Sequence, residues 1–563
     1  MNSIPALNRV LLTGAILLSL GVLHAQEDAH LVVTDEKLLY HYIHVDRTEG
    51  SILPWYSTNP GIAYDKIIHL VWNFWDTIRT DLNGLPYYMN HQVWRRDFND
   101  RRGIGGDQLS MALSSWNLYY AYSGNEKVKE NMKFMADYYL THSFSPAGAA
   151  WPLIPYPYNT LVYSGIYDGD MVLGEGYTQP DKAGSFGFEL VRLYKMTERR
   201  YHPGVTGRHY LDAAIGIANT LASHTSAGDE DTSPLPFKVH AITGETGYLK
   251  SNTGDGSNIQ KSEYTTNWSA TMELFLSLIE LNEGEVDLYQ AAFERILAWM
   301  KSYPLKNNRW GPFFEDIPGW SDTQTNAITF AQFMMNHREY FPDWEAAVKG
   351  IFKWVYEKLG NSEWEKYGVT VVNEQTAYQT PGNSHTSRQA SAELQYASLT
   401  GDTSMVKNAV RQLNWATYMV DHDGKNCYPR DENWLTDGYG DYIRHYLRAM
   451  EAKPDLAPAG QDHILSSSST IQLAEYRPRI NRFLGPEVPA GIVDKTVVYY
   501  RTFDNESSEI LRLAEKPHEV RVGQKAIPES AETKEGWEWV PLSSGGVLIV
   551  RHTSSNRVII TGK

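Results

Sequence analysis

Between residues 60 and 452 the chain repeats one pattern: an apolar stripe of helical period, a short turn, and a second stripe. In WEAAVKGIFKWVYEKLG, Val348, Ile351, Phe352, Val355 and Leu359 fall at offsets 0, 3, 4, 7 and 11, one face of an α-helix. Met272, Phe275, Leu276 and Ile279 keep the same spacing, as do Val406, Ala409, Val410 and Leu413. The turns also resemble one another. YSGNEKV (122–128), LNEGEVDLY (281–289) and LTGDTSMV (399–406) place Gly or Asn where one helix stops and an acidic or hydroxyl residue where the next is capped. Helices are predicted near 62–79, 107–121, 126–141, 184–197, 208–224, 264–282, 287–301, 324–339, 344–359, 386–399, 403–420 and 438–451. Short links within pairs and long links between pairs predict a mainly α fold, an (α/α)6 toroid of six helical hairpins. A linear solenoid of helix pairs is the alternative, and its period would be tighter and more uniform.

The helical region, 60–452, has different texture on either side. Residues 1–25 place Arg9 before the apolar run VLLTGAILLSLGVL and end on the small residue Ala25, the layout of a secretory signal peptide. The run is shorter than the roughly 20 residues that span a bilayer. No Cys follows it, and the single Cys427 excludes disulfides and a Cys-based zinc site. These features predict an exported protein, periplasmic or secreted, of a Gram-negative type of cell, with no membrane insertion after cleavage. Residues 26–59, with HLVVTDEKLLYHYIHV, are expected to form a cap segment of strand or helix. Residues 453–493 read as a linker that includes a short helical piece, TIQLAEYRPRINRFL. From 494 to 563 the β-branched runs KTVVYYRTF, HEVRV, GWEWVPL, GGVLIVRH and NRVIITG predict a small antiparallel β-sandwich of about six strands.

A formal net charge of −16 over 563 residues argues against a nucleic-acid partner, because phosphate binding requires a basic surface. It leaves room for an acidic sugar polymer, since a few local arginines can hold a carboxylate. The 17 Trp and 36 Tyr exceed what turns and surface use, and divide between the core and the walls of a cleft, where aromatic faces stack on sugar C–H faces. No phosphate-binding loop, dinucleotide fingerprint, GxSxG elbow or complete EF-hand loop is present, and the two His of HYIHV lie outside the loops considered next. No cofactor and no metal is expected.

In a toroid of hairpins the long inter-pair loops gather at one rim. Six such loops are 85–108, 151–185, 240–268, 308–326, 371–389 and 427–442, and each carries acid together with Trp, Tyr or Arg. The stretch YSGIYDGDMVLGEGYTQPDKAGS (163–185) is the richest, with Gly for close backbone approach, Tyr for stacking and several acids. Cleavage of a glycosidic bond uses two carboxyl groups, one protonated and one ionised. Candidates are Asp168, Asp170, Glu175, Glu263, Glu315, Asp316 and Asp437, of which Glu175, Asp316, Glu263 and Asp170 are taken as catalytic. Glu175 stands first, because its apolar-aromatic setting predicts a desolvated carboxyl. Any one of these acids also suits a helix N-cap, a turn or a calcium site. Arg95, Arg96, Arg388 and Arg430 fall in the same loops, and their forked guanidinium groups match a uronate carboxylate. Tyr177, Trp310, Trp320, His385 and Trp434 complete the expected substrate-binding set.

The signal peptide, the hairpin helices, the motifs WNFWDTIRTD and RRGIGGDQ and the acid-aromatic rim loops resemble the α/α-toroid carbohydrate-active enzymes. In outline the chain is similar to the unsaturated glucuronyl hydrolases, and more so to the bacterial β-glucuronidases of glycoside hydrolase family 154. The resemblance covers most of the mature chain and is architectural. It implies exo-removal of glucuronic acid from an oligosaccharide or polysaccharide by a glycoside hydrolase. A polysaccharide lyase on the same scaffold, with Tyr378, His385 and Arg388, is the main alternative. A uronyl epimerase and a non-catalytic glycan-binding protein are the others.

Overall fold

The computed structural model of the protein describes residues 30–78, 80, 84–89, 106–157, 167–170, 174–198, 207–250, 257–314, 319–429, 431–435, 440–477 and 495–562. Among the described residues, twelve long helices occupy the central region: α1 (Pro60–Thr77), α2 (Gly106–Ser123), α3 (Glu126–His142), α4 (Pro180–Thr197), α5 (Arg208–His224), α6 (Ser269–Leu281), α7 (Val286–Ser302), α8 (Gln324–Asn336), α9 (Trp344–Leu359), α10 (Asn383–Thr400), α11 (Val406–Thr417) and α12 (Tyr442–Ala452). The turns between them follow the expected chemistry. Gly124 has φ +64°, and the Asn125 side chain accepts a hydrogen bond from the Lys127 amide to cap α3. Asn282 and Gly401 end α6 and α10 in the left-handed region. In α9, Val348, Ile351, Phe352, Val355 and Leu359 are all buried, as the stripe predicts. Full burial of a side chain such as Phe352 contributes about 1.5–3 kcal/mol.

The ring closes. Each even-numbered helix touches the next, α2 to α4, α6, α8, α10 and α12, and α12 returns to α2. The odd-numbered helices pack outside, each on its hairpin partner, with α1 on α12. Because every pair is an antiparallel hairpin, the six inner helices point the same way. Their N-terminal ends form one face, and each of the six long loops leads into one of those ends.

Three helices start later than predicted, α12 among them, at Tyr442 rather than 438. α6 begins at Ser269 rather than 264, because the Thr265 and Thr266 hydroxyls instead donate to the carbonyls of Pro312 and Trp310, at 2.8 and 2.5 Å. α11 begins at Val406 rather than 403, because the Asp402 carboxylate accepts from the Ser404 amide in a turn.

The cap segment is an antiparallel sheet of β1 (Leu31–Leu38), β2 (His41–Asp46) and β3 (Ile52–Leu53). It seals the ring where α11 leads toward α12. His41 stacks on Trp55 with ring centroids 3.8 Å apart, His41 Nε2 lies 2.8 Å from the Val420 carbonyl, and Trp55 Nε1 donates to the Thr417 carbonyl. Burial pushes His41 down to about 4, so the HYIHV motif is a packing element.

Short ladders stiffen the face at the inner-helix N-termini: β4 (Gly169–Asp170) with β5 (Gly174–Glu175), β6 (Tyr177–Thr178) with β7 (Val239–His240), and β8 (Tyr248–Lys250) with β9 (Asn258–Lys261). Two more follow, β10 (Gly360–Asn361) with β11 (Val371–Val372), and β12 (Cys427–Tyr428) with β13 (Asp431–Leu435).

The C-terminal unit starts earlier than the expected 494. β14 (His463–Ser467) and β15 (Ile471–Tyr476) lie inside the predicted linker, and the start of the predicted helical piece TIQLAEY is a strand. They join β16 (Thr496–Thr502), β17 (Ser507–Leu513), β18 (Glu519–Val522), β19 (Lys525–Ile527), β20 (Gly536–Pro541), β21 (Gly546–His552) and β22 (Arg557–Thr561) in two sheets, ordered β14-β17-β21-β20 and β15-β16-β22-β18-β19. The short apolar run of β15 fits either period, and only its pairing with β16 decides for a strand. The sandwich docks on the toroid end opposite the inner-helix N-termini. The Gln472 amide donates to the carbonyls of Lys195 and Glu198 at the end of α4, and the Tyr476 hydroxyl donates to the Ala121 carbonyl in α2.

Candidate active site

An inner-helix N-terminus offers backbone N–H groups that have no partner within the helix, and a positive dipole end. Here six such ends face one rim, and the first turns of α4, α6, α8 and α10 carry buried polar side chains, among them Asp181, Lys182, Thr271, Gln324, Thr325, Asn383 and Ser384. Three groups of them stand out.

The first centres on Asp441, just before α12. It is 1% exposed, and Arg388 of α10, Arg444 of α12 and His445 of α12 all converge on it. Arg388 and Arg444 contact its two carboxyl oxygens, and His445 Nε2 lies 3.0 Å from Oδ2. Arg388 Nη1 also donates to Gln324 Oε1 at 3.0 Å and Thr325 Oγ1 at 2.9 Å at the start of α8. Burial opposes the charge on Asp441, but the two guanidinium groups hold its carboxyl well below the usual carboxylate range. Burial pushes His445 down to about 3, so it is neutral.

The second group is His385 with Glu374. Both are nearly inaccessible, and His385 Nδ1 lies 3.8 Å from Glu374 Oε1 and 3.4 Å from Ser384 Oγ. The opposite nitrogen, Nε2, is buried and has no hydrogen-bond partner among the described residues. Burial, reinforced by the Arg388 charge, drives the imidazole well below its ordinary value, so it is neutral. Phe314 lies against its ring, with centroids 6.0 Å apart. Gly382 sets the ring position, because an added Cβ would lie 2.7 Å from His385 Nδ1. Its φ of −111° suits any residue, so a Gly382→Ala variant keeps the backbone and displaces the imidazole. If His385 performs the chemistry, this variant loses about 10- to 100-fold in kcat, in line with a misplacement near 1 Å, with an unfolding midpoint close to that of the parent. Steady-state kinetics alongside a urea titration checks it.

The third group lies across the ring at the start of α4. Asp181 is fully buried, and its Oδ2 accepts from Lys182 Nζ at 3.0 Å and from Asn267 Nδ2 at 2.9 Å. Its Oδ1 has no partner among the described residues. Lys182 Nζ also donates to the Phe313 carbonyl at 2.8 Å and sits 3.3 Å over the Phe313 ring. Asn326 Nδ2 points at the carbonyls of Trp310, Gly311 and Pro312 and so anchors the loop that carries Phe313.

The residues expected from the sequence are spread unevenly. Glu175 is exposed, which corrects the expected desolvation. It sits between Gly174 and Gly176, whose φ values are +108° and +83°, so the glycines of GEG serve the backbone of a tight turn. A Cβ at Gly176 would also meet His240 Nε2 at 2.5 Å. Glu263 is 37% exposed and lies 3.8 Å from Lys261, so it too is solvated. Asp170 is in β4 and pairs with Gly174 through its backbone. Tyr177 is half-buried in an edge contact with His240, at 5.1 Å between centroids. Trp310 is 0% exposed, packed between Phe330 and Trp354, and offers no face to a ligand. Trp320 is half-buried, with the Arg309 guanidinium 4.2 Å over its ring and its Nε1 donating to Asp322 Oδ2. Arg388 is committed to Asp441, Gln324 and Thr325, so its role is to order the face rather than to grip a uronate directly. Tyr378 is 44% exposed. Arg95, Arg96, Asp316 and Arg430 lie outside the described residues, and Trp434 is placed in β13 by its backbone alone. Asp181, Lys182 and Asn267 were not singled out from the sequence. Their signal was a charged pair at the mouth of an apolar helix, QPDKAGSFGFEL.

No family model matches the chain, and no curated protein matches it. Solved structures do. Cellobiose 2-epimerase from Spirochaeta thermophila superposes with a TM-score of 0.50 at 10% identity, over 69% of this chain and 97% of that one. Cellobiose 2-epimerase from Bacillus thermoamylovorans gives 0.49 at 13% identity, over 69% and 98%. An unsaturated glucuronyl hydrolase specific for heparin gives 0.44 at 10% identity, over 71% and 99%. The fold is an (α/α)6 toroid.

Proposed function

We propose that the protein is a glycan-processing enzyme and that His385 is its proton-transfer base. The observation that supports this reading is the neutral, buried imidazole whose Nε2 lacks a protein partner at the N-terminal face of the inner helices, with Glu374 behind Nδ1. A neutral imidazole accepts a proton from a C–H bond beside a carboxyl or carbonyl carbon, and the Glu374 carboxylate stabilises the imidazolium that forms. Solved neighbours with this fold include epimerases and glycoside hydrolases, which agrees with a saccharide substrate. The arginine-bearing rim loops favour a uronic-acid unit, and the leader-like N-terminus favours an exported protein that acts in the periplasm or outside the cell.

Hydrolysis is the second reading. The sequence resemblance to glucuronidases supports it, together with the Oδ1 of Asp181, which has no partner among the described residues and acts as the base if a second, protonated carboxyl supplies the acid.

Incubating the signal-free protein with glucuronate-containing oligosaccharides in D2O separates the two. Proton abstraction gives new ultraviolet absorbance from a C=C bond when the leaving group departs, or deuterium on carbon when it does not. Free uronic acid with neither signal sinks the His385 reading and moves the reaction to the carboxyl pair.

The same imidazole sets a pH expectation. Its value lies well below 6.5, so the basic form is present throughout neutral and mildly acidic solution. The acid limb of kcat/KM then falls well below pH 6.5, and a half-maximum near pH 6.5 argues for a different base.

A further inference from the structure

Below the His385 level the lumen of the toroid stays polar. Asp441, Arg444, Arg448 and Glu451 follow one another along a single stripe of α12. Arg444 Nη1 donates to Ser114 Oγ of α2 at 3.1 Å, and Arg448 Nη1 donates to Gln332 Oε1 of α8 at 3.3 Å, so the stripe faces across the ring. From α4, Arg192 reaches the same space, donating to Asn117 Oδ1 of α2 at 2.6 Å.

Two of the three carboxylates here are already taken. Glu189 holds Arg192 Nη1 with both oxygens, at 3.0 and 3.2 Å. Asp441 is shared among Arg388, Arg444 and His445. Arg448 has no ion-pair partner among the described residues and one hydrogen bond, so most of its five N–H donors are unused. Its side chain is partly solvent-accessible within the ring, and Glu451, one turn further toward the sandwich, is exposed. The enclosing protein and the nearby charges of Arg444 and Arg192 push the Arg448 guanidinium down to about 9, against the weaker pull of Asp441 and Glu451, which leaves it cationic at neutral pH. Like charges enclosed in a medium of reduced dielectric repel more strongly than in water. An otherwise acidic protein thus encloses an excess of weakly hydrated cations.

We propose that this lower chamber, between the candidate active site and the docked sandwich, binds a small monovalent anion, an inorganic halide or a free carboxylate, on Arg448 with Arg192 and Arg444. The anion adds a direct counter-ion to the more distant charges of Asp441 and Glu451, and accepts from the donors of Arg448 that have no protein partner among the described residues. It is independent of which reaction the upper face performs.

Crystals of the mature chain soaked in sodium bromide and measured at the bromine edge test the site. The expected result is an anomalous peak in contact with the Arg448 guanidinium. Surface bromide peaks with none in the chamber overturn the halide source, and a soak in acetate then decides the carboxylate source. An empty chamber in both soaks overturns the proposal. In solution, chloride added at constant ionic strength is expected to raise the unfolding temperature in a saturable way, and Arg448→Gln to abolish the saturable part. If that variant fails to fold, Arg192→Gln serves in its place, and an unchanged chloride response in the folded variant counts against the site.

Discussion

Replacing His385 by Gln is expected to lower kcat by about 10²- to 10⁴-fold, the range for loss of a general base, while the protein remains folded. Glutamine keeps a polar group in the pocket but cannot take up a proton. The His385 ring makes one weak hydrogen bond, with Ser384 Oγ at 3.4 Å, beside the Glu374 contact at 3.8 Å, and its Nε2 makes none among the described residues, so little structural bonding is lost. The decisive measurement is turnover on the substrate identified in the D2O experiment, with the urea midpoint as control. An active His385→Gln variant removes His385 from the chemistry and leaves the Asp181 carboxyl as the group to test.

Replacing Asp441 by Asn is expected to have the opposite signature. The shape is preserved but the charge is lost, which leaves the Arg388 and Arg444 guanidinium groups buried without a counter-ion. Breaking a buried pair in this way costs about 3–5 kcal/mol. The pH dependence has a definite sign. The Asp441 value is depressed in the folded protein, so its contribution is present above the unfolded carboxylate range, near pH 4, and is lost as pH falls through the folded value. Asp441→Asn should therefore lower the denaturation midpoint at pH 7 and flatten the acid side of the stability profile. Partial recovery in Asp441→Asn combined with Arg388→Met would place the cost in the unpaired guanidinium. A midpoint unchanged at pH 7 would mean that solvent reaches the cluster and screens it.

The two variants separate chemistry from architecture. His385 is expected to change rate without stability, whereas Asp441 is expected to change stability and, by releasing Arg388 from Gln324 and Thr325, the geometry of the face as well.

The helices, their pairing and the placement of the long loops were legible because they rest on local periodicity. The stripe of Val348, Ile351, Phe352, Val355 and Leu359 and the left-handed Asn282 and Gly401 are set by residues within a few positions of one another. The C-terminal boundary was less legible, since Ile471–Tyr476 becomes a strand only through its partner β16. The candidate site was legible as a set of loops and not as a set of roles. Glu175 and Glu374 both lie in acid-bearing loops, yet one is exposed on a glycine turn and the other is buried beside an imidazole. Whether a carboxyl or an imidazole loses its water depends on chain that arrives from elsewhere. Arg388 meets Asp441 across 53 positions, and Asp181 meets Asn267 across 86. Sequence alone thus determined a ring of helical hairpins with polar loops on one face, because hydrophobic spacing and turn chemistry act locally. Only the tertiary structure decided which of those polar groups are desolvated, paired or left with a free nitrogen, because the electrostatics of a buried group are set by its neighbours in space.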